Sequence, residues 1–390
     1  MFLLIDNIVV IITMDLNTLI AECTTYDFKL MLEEKKPKSW LKSVSAFANG
    51  LGGSLFFGID NDGIARGLDD VQHVCEAIST KIRDYMDPLP EVEMIPHDMD
   101  GLHILQLKVD AGHYTPYYYV GDVQRIAFVR VGDESLPATA EHMVRLVLKG
   151  SNKTFDSLHT DYNAEDYSFT ILANAFKDRT KQEWDKKYLL SFGLVTGAKN
   201  LTNAGALFAD DCPLWQSRLY CTRWDGKEKG DAINDAEFTG NVLMLLREVM
   251  NFVKSNTKKG WEKLPDGRKN KSEYAERAVL EAMVNHFIHR DYTVMGGEVH
   301  LDIYDDRLSV TGGMYNGMLI QDLDIADVSS ERRNPILANV MAQLDYMEKR
   351  GSGLTRICNE TKALDGYRDE LKPVFKSTPT QFQTIIFASP

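Results

Sequence analysis

The chain has 390 residues, 44% hydrophobic and 26% charged, which is too long for one typical core and ordinary for a globular protein of two or three domains. Its formal net charge of −13 excludes broad nonspecific coating of DNA, which needs a basic surface, and leaves room only for a local basic groove. The five cysteines (Cys23, Cys75, Cys212, Cys221, Cys358) include no Cys-x-x-Cys pair. No zinc site or redox motif is therefore indicated, and the scattered set suits a reducing, cytoplasmic compartment.

Residues 1–13 are apolar but interrupted by Asp6 and Asn7. The run is too short to span a bilayer and lacks the basic start of a signal peptide, so no membrane role is expected. It reads as a start-site extension ahead of Met14 or as an extra strand. Residues 14–150 predict an α/β domain. SWLKSVSAFANG is a helix stopped at Gly50. GGSLFFGIDNDGIARGL and EVEMIPHDMDGLHILQLKVD are hairpins with Asn-Asp-Gly and Asp-Gly turns. Residues 151–270 predict a helical middle region that ends in the basic, turn-rich run KKGWEKLPDGRKNKSE, expected as an exposed loop. Residues 271–390 predict a second α/β unit: a helix, a hairpin around Asp305-Asp306, a Gly-Gly loop, a helix, a Gly-Ser-Gly loop, another helix and a final strand.

The helix AERAVLEAMVNHFIHRDY carries Glu281, Asn285 and His289 at intervals of four, which aligns a carboxylate, an amide and an imidazole on one stripe. An amide oxygen can ligate Mg²⁺ and a carboxylate can orient or deprotonate water. The alternative is an amphipathic helix with its polar stripe in solvent. Gly312-Gly313 and Gly351-Ser352-Gly353 are loops in which backbone N–H groups can approach phosphates. His73, His97, His142 and His286 show no metal-ligand spacing and read as structural or surface residues.

Lys35, Lys36, Lys38 and Lys42 surround Trp40, a pattern that can track a nucleic-acid backbone and stack a base, or form a solvated helix start. Asn49 and the glycines after it join helix to strand through a tight loop, which serves either as a structural turn or as a phosphate contact. HYTPYYYVGDVQR, with four tyrosines, is a base-stacking loop or part of the core. Arg332-Arg333 contact phosphates or cap a helix.

The order of the C-terminal motifs resembles the GHKL ATPase superfamily, the fold of gyrase and histidine kinases. Glu281 and Asn285 match its N-box, His289 a frequent histidine after it, and Gly351-Ser352-Gly353 its second glycine motif. The family's adenine-reading Asp has no counterpart, because Val310 and Thr311 precede Gly312-Gly313. A narrower resemblance spans nearly the whole chain. YDFK, SVSAFANGLGGSLFFGID, RVGDES, NHFIHRDY, RRNPILA and MEKRGSGLTRI are similar to bacterial proteins that join a Schlafen AlbA-like domain to a degenerate GHKL-type ATP-binding domain. Such proteins are often labelled transcriptional regulators or RecG-related. No Walker A motif stands in the sequence to support a helicase motor.

The resemblance implies an α/β (α+β) protein: a Schlafen AlbA-like domain at 14–150, a helical middle region and a C-terminal GHKL-like α/β sandwich at 271–390. It implies a nucleic-acid-associated regulator, contacting DNA or RNA, that binds an ATP-like nucleotide. Asn285 would hold Mg²⁺, Glu281 would position water, Gly351 and Gly353 would close over phosphates, and Gly312 and Gly313 would line the base pocket. Schlafen-type nucleases carry three acidic metal ligands whose spacing Glu22, Asp27 and Asp60 match. The first alternative is thus an RNA or tRNA endonuclease using Mg²⁺ or Mn²⁺. The second is a noncatalytic scaffold that forms a homodimer.

Overall fold

The structure is a computed structural model that describes residues 24–265, 267–312, 320–325, 328, 332–347, 352–378 and 381–389. The chain divides into two compact units, Met1–Asn152 and Lys153–Pro390. The architecture is mixed α/β in several sheets.

In the first unit, β1 (Tyr26–Lys29), α1 (Lys38–Asn49) and β2 (Gly53–Phe57) form a β-α-β crossover, with the two strands parallel. α2 (Val71–Tyr85), β3 (Met86–Asp87), β4 (Val92–Met99), β5 (Leu102–Val109), β6 (Tyr118–Tyr119), β7 (Ile126–Val131), β8 (Glu134–Pro137) and α3 (Ala140–Gly150) follow. The strands make two four-stranded sheets, ordered β1-β2-β5-β4 and β3-β6-β7-β8. The expected β4–β5 hairpin forms on Asp100 and Gly101, both at positive φ. The expected return strand after β2 is only a bridge between Ile59 and Ala65, because β2 takes β1 and β5 as its partners instead.

α1 is the centre of this unit. Its Trp40, Leu41, Val44, Phe47 and Ala48 join Leu55, Phe57, Leu105 and Leu107 in one apolar core, each large side chain contributing about 1.5–3 kcal/mol. Gly52, at φ +87°, turns the chain into β2 where a Cβ would lie 2.9 Å from Val109 O. At Gly53 a Cβ would strike the Phe47 ring, so both glycines follow from packing.

The second unit comprises β9 (His159–Asn163), α4 (Thr170–Thr180), α5 (Lys187–Ser191), β10 (Asn200–Thr202), α6 (Asn203–Phe208), β11 (Arg218–Trp224), β12 (Ala232–Thr239), α7 (Val242–Asn256), β13 (Lys259–Leu264) and β14 (Gly267–Ser272). Then come α8 (Glu276–His289), β15 (Val299–Ile303), β16 (Arg307–Gly312), α9 (Pro335–Gln343), α10 (Gly353–Lys362), β17 (Val374–Ser377) and β18 (Phe382–Phe387). Six strands form one sheet, ordered β12-β11-β15-β16-β18-β17. β11 runs parallel to β15, and the other pairings are antiparallel.

Of the segment 151–270, expected as a helical connection, all from Lys153 onward lies in the same unit as 271–390, and it supplies β11 and β12 to that sheet. The helices pack through Leu245, Val249, Ala278, Met283, Phe287 and Leu337 onto the sheet residues Leu219, Leu301 and Val310. Among the described residues no helix is long and apolar enough to cross a membrane.

Candidate functional site

α8 is apolar on most of its circumference, with Ala278, Val279, Ala282, Met283, Val284, Phe287 and Ile288 all buried. A helix buried on that scale carries its polar groups inward too, and Glu281 is only 2% exposed. Asn285, one turn on, and His289, a turn further, are half-buried. Glu281 and Asn285 therefore face a packed neighbour, α10. A Cβ on Gly353, the first residue of α10, would lie 2.8 Å from Asn285 Nδ2, 3.0 Å from Glu281 Oε1 and 3.2 Å from Asn285 Oδ1. A larger residue here would have to displace the ends of the Asn285 and Glu281 side chains from their present positions.

Two cations flank the carboxylate. Arg356 Nη1, one turn into α10, stands 3.6 Å from Glu281 Oε2, and Arg277 Nη2, one turn back on α8, stands 4.0 Å away. Both are ion-pair separations beyond hydrogen-bond reach, and Glu281 Oε2 is buried with no hydrogen-bond partner. Burial pushes the Glu281 carboxyl above its ordinary pKa, against the pull of Arg356 and Arg277. An orphaned buried acceptor and a face kept clear of any side chain fit a bound polar group. Asn285 offers the amide oxygen suited to a divalent cation, and the arginines offer charge suited to phosphate.

The C-terminal end of α8 is locked by residues distant in sequence. Asn334 Nδ2 donates to Ile288 O and Arg290 O, each at 2.8 Å. Asp156, fully buried, accepts from Ile336 N–H at 2.7 Å and Leu337 N–H at 3.0 Å, which caps α9 from across the unit. His286 is structural: its Nδ1 lies 2.7 Å from Ala282 O and its ring packs on Phe382. Of the two arginines before this helix, Arg333 pairs with Asp291 at 3.5 Å, while Asn334 sits at the helix start. Gly312 ends β16 at φ +139°, where a Cβ would meet Glu298 O at 2.9 Å, so its backbone answers to the neighbouring strand. Gly313 and Gly351 lie outside the described residues.

In the first unit the acidic residues are already engaged. Asp27, buried on β1, accepts from Lys29 Nζ at 2.7 Å and Ser43 Oγ at 2.6 Å, with Arg130 Nη1 at 3.7 Å. Asp60 accepts from Ile64 N–H at 2.9 Å, Asp62 N–H at 3.1 Å and Arg66 Nε at 2.9 Å. The Ile64 N–H holds its carboxyl below the usual range. The two carboxylates thus engage different donors. Glu22 lies outside the described residues, and among those described no group of three His, Cys, Asp or Glu is arranged to hold a metal.

The basic patch differs from expectation at two positions. Trp40 is fully buried, edge-on to Phe57 at 5.9 Å, because its indole fills the α1–β2 core, so it cannot stack an incoming base. Asn49 is buried as well. Its Nδ2 donates to Tyr117 O and Phe128 O at 3.0 Å, and its Oδ1 accepts from Tyr117 N–H at 2.7 Å. The amide therefore ties the backbone at Tyr117, just before β6, to β7, and its N–H groups have no capacity left for phosphate. Lys35 and Lys36 are exposed, Lys42 is half-buried, and Lys38 pairs with Asp122 at 2.5 Å. In the tyrosine-rich loop Tyr117 and Tyr119 are core residues, while Tyr114 is 73% exposed.

Family comparison matches residues 22–139 to "Schlafen, AlbA_2" and residues 296–386 to "Putative ATP-dependent DNA helicase recG C-terminal". The chain joins a Schlafen AlbA_2 domain to a RecG-C-terminal-type, ATPase-like domain. The AlbA_2 match covers the β1-α1-β2 crossover, and the ATPase-like match covers β15 to β18. A Corynebacterium diphtheriae protein of known crystal structure is 20% identical, with a TM-score of 0.52 over 94% of this chain and 75% of that one, a likeness of fold. The N-terminal domain of a RecG-related protein from Nitrosomonas europaea is 22% identical over 33% of this chain and 90% of that domain, at a TM-score of 0.24. Comparison with curated proteins returns no match. The AlbA_2 and ATPase-like domains support a nucleic-acid-associated, ATP-binding protein.

Proposed function

We propose that the chain is a nucleic-acid-associated regulator whose C-terminal unit is a GHKL-type nucleotide site built on Glu281, Asn285 and Gly353. The observation that carries this reading is the juxtaposition of the bare Gly353 with the Glu281–Asn285 stripe, beside a buried carboxylate oxygen without a hydrogen bond. Asn285 would hold a divalent cation accompanying ATP, and Arg356 would attract its phosphates. The metal supplies charge neutralisation along the polyphosphate when bound. The chain's own residues orient it: α10 presents backbone N–H groups at its first turn, and Gly353 keeps that turn close.

The flanking arginines favour binding over rapid turnover. A general base must be free to take a proton, whereas Glu281 stands between Arg356 and Arg277 in a buried setting. In this reading Glu281 holds the pocket together first and acts on water slowly. The exposed Lys35 and Lys36 of the AlbA_2 domain contact nucleic acid as backbone charges. The test is calorimetric titration of the full chain with ATP, with and without Mg²⁺, alongside phosphate release. Binding that needs Mg²⁺, with slow release, supports the reading; no heat of binding under either condition removes it.

A further inference from the structure

This acidic chain concentrates positive charge in one ribbon. Residues 258–271 carry six Lys or Arg against two acidic residues, within a net charge of −13. The run expected as a loop is a hairpin. β13 and β14 pair antiparallel from Lys259↔Ser272 to Leu264↔Gly267 and form a two-stranded sheet of their own. Lys263 stands opposite Arg268 in the register, Glu262 opposite Lys269 and Gly260 opposite Lys271. Lys and Arg positions thus occur in both strands of the register.

The root of the ribbon is pinned. Lys258 N–H donates to Glu273 Oε2 at 2.8 Å, Ser272 Oγ donates to Tyr274 O at 2.8 Å, and Ser389 N–H donates to Glu273 O at 2.9 Å. Tyr274 is buried in the core, and α8 begins at Glu276. The ribbon therefore leads directly into the helix that bears Glu281 and Asn285.

A lysine or two on a strand edge guards against edge-to-edge pairing. Cations on both strands of a two-stranded ribbon exceed that need, and they lower the stability of an element that is marginal without a partner. A six-residue strand is roughly 20 Å long. A two-stranded ribbon enters a duplex major groove about 12 Å wide, beside one phosphate charge per ~1.7 Å of axis.

We propose that the β13–β14 ribbon is an arm that binds the phosphate backbone of a nucleic-acid duplex. This binding surface is separate from the AlbA_2 domain and stands independently of the nucleotide reading.

The experiment uses the full chain and Lys263→Glu/Arg268→Glu/Lys269→Glu, titrated by fluorescence anisotropy into short mixed-sequence DNA and RNA duplexes across about 50–200 mM salt. The proposal expects the variant to bind about tenfold or more weakly, with a salt slope shallower by about 0.9 for each DNA phosphate that is no longer neutralised. The two duplexes show which nucleic acid the arm prefers. The Gln substitutions at the same three positions, which remove charge without reversing it, should weaken binding in the same direction at an unchanged thermal midpoint. Duplex binding unchanged in both variants, or absent in the parent chain, overturns the proposal. So does a loss confined to anionic phosphatidylserine vesicles. ATP affinity is read in parallel. Failure of ATP binding with the duplex effect intact would remove the nucleotide reading and leave this one.

Discussion

Gly353 at the start of α10 lies so close to Asn285 on α8 that a Cβ there would fall 2.8 Å from the Asn285 amide nitrogen. This approach joins two motifs that stand 68 positions apart in the chain.

Gly353→Ala tests that approach against helix propensity. In a helix this exchange ordinarily gains about 0.5–1 kcal/mol, whereas forcing a methyl into packed surroundings costs about 1–3 kcal/mol. The clash should win. The expected result is a lower thermal midpoint and at least tenfold weaker ATP binding. A stabilised variant with unchanged ATP affinity would show that α10 yields freely there.

Glu281→Gln tests the electrostatics. Burial raises the Glu281 pKa in the folded state, so ionisation opposes folding. The stability tied to the protonated form is fully present below the unfolded carboxylate value, about 4.3, and is lost as pH rises through the raised folded value. Glutamine does not titrate. The variant should therefore gain on the parent in thermal midpoint as pH rises from about 4 to 8. A pH-independent difference would mean that the two arginines cancel the effect of burial, and a parent that gains on the variant as pH rises would mean that they outweigh it.

Asp156→Ala should destabilise the second unit by about 2–4 kcal/mol, because it leaves one buried and one part-buried N–H group at the start of α9 without an acceptor. Asp156→Asn keeps an acceptor oxygen and removes a charge that burial disfavours, so its loss should stay within about 1 kcal/mol. Urea unfolding of the three proteins decides this, and equal losses in the two variants would contradict the capping role.

Trp40→Phe separates core from interface. The indole is fully buried, so truncation to alanine should cost about 3–5 kcal/mol, and phenylalanine should cost less. Nucleic-acid affinity of the folded Phe variant should match the parent. A selective loss of affinity without loss of stability would restore the stacking role.

Local pattern made much of this molecule readable. The spacing of Glu281, Asn285 and His289 follows from helical periodicity, and the Asp-Gly turn placed the β4–β5 hairpin because turn chemistry acts over a few residues. What escaped depends on distant partners. β11 joins the sheet through β15, some eighty positions later, so its segment looks like a connection until that strand arrives. Trp40 among lysines looks like a stacking platform until Phe57 is seen to cover it. Asn49 looks available for phosphate until Tyr117 and Phe128 use up its amide. Asp156 had no motif at all, because a cap supplied from 180 positions away leaves no local signature.

The central claim is that Glu281, Asn285 and Gly353 form one nucleotide site. Calorimetric titration of Mg²⁺-ATP into the full chain and into Asn285→Ala tests it most directly. The account predicts measurable binding to the parent chain and at least a tenfold loss in the variant, whose thermal midpoint is retained because Asn285 is only half-buried. Equal affinity in both proteins, or no binding to the parent, would contradict it.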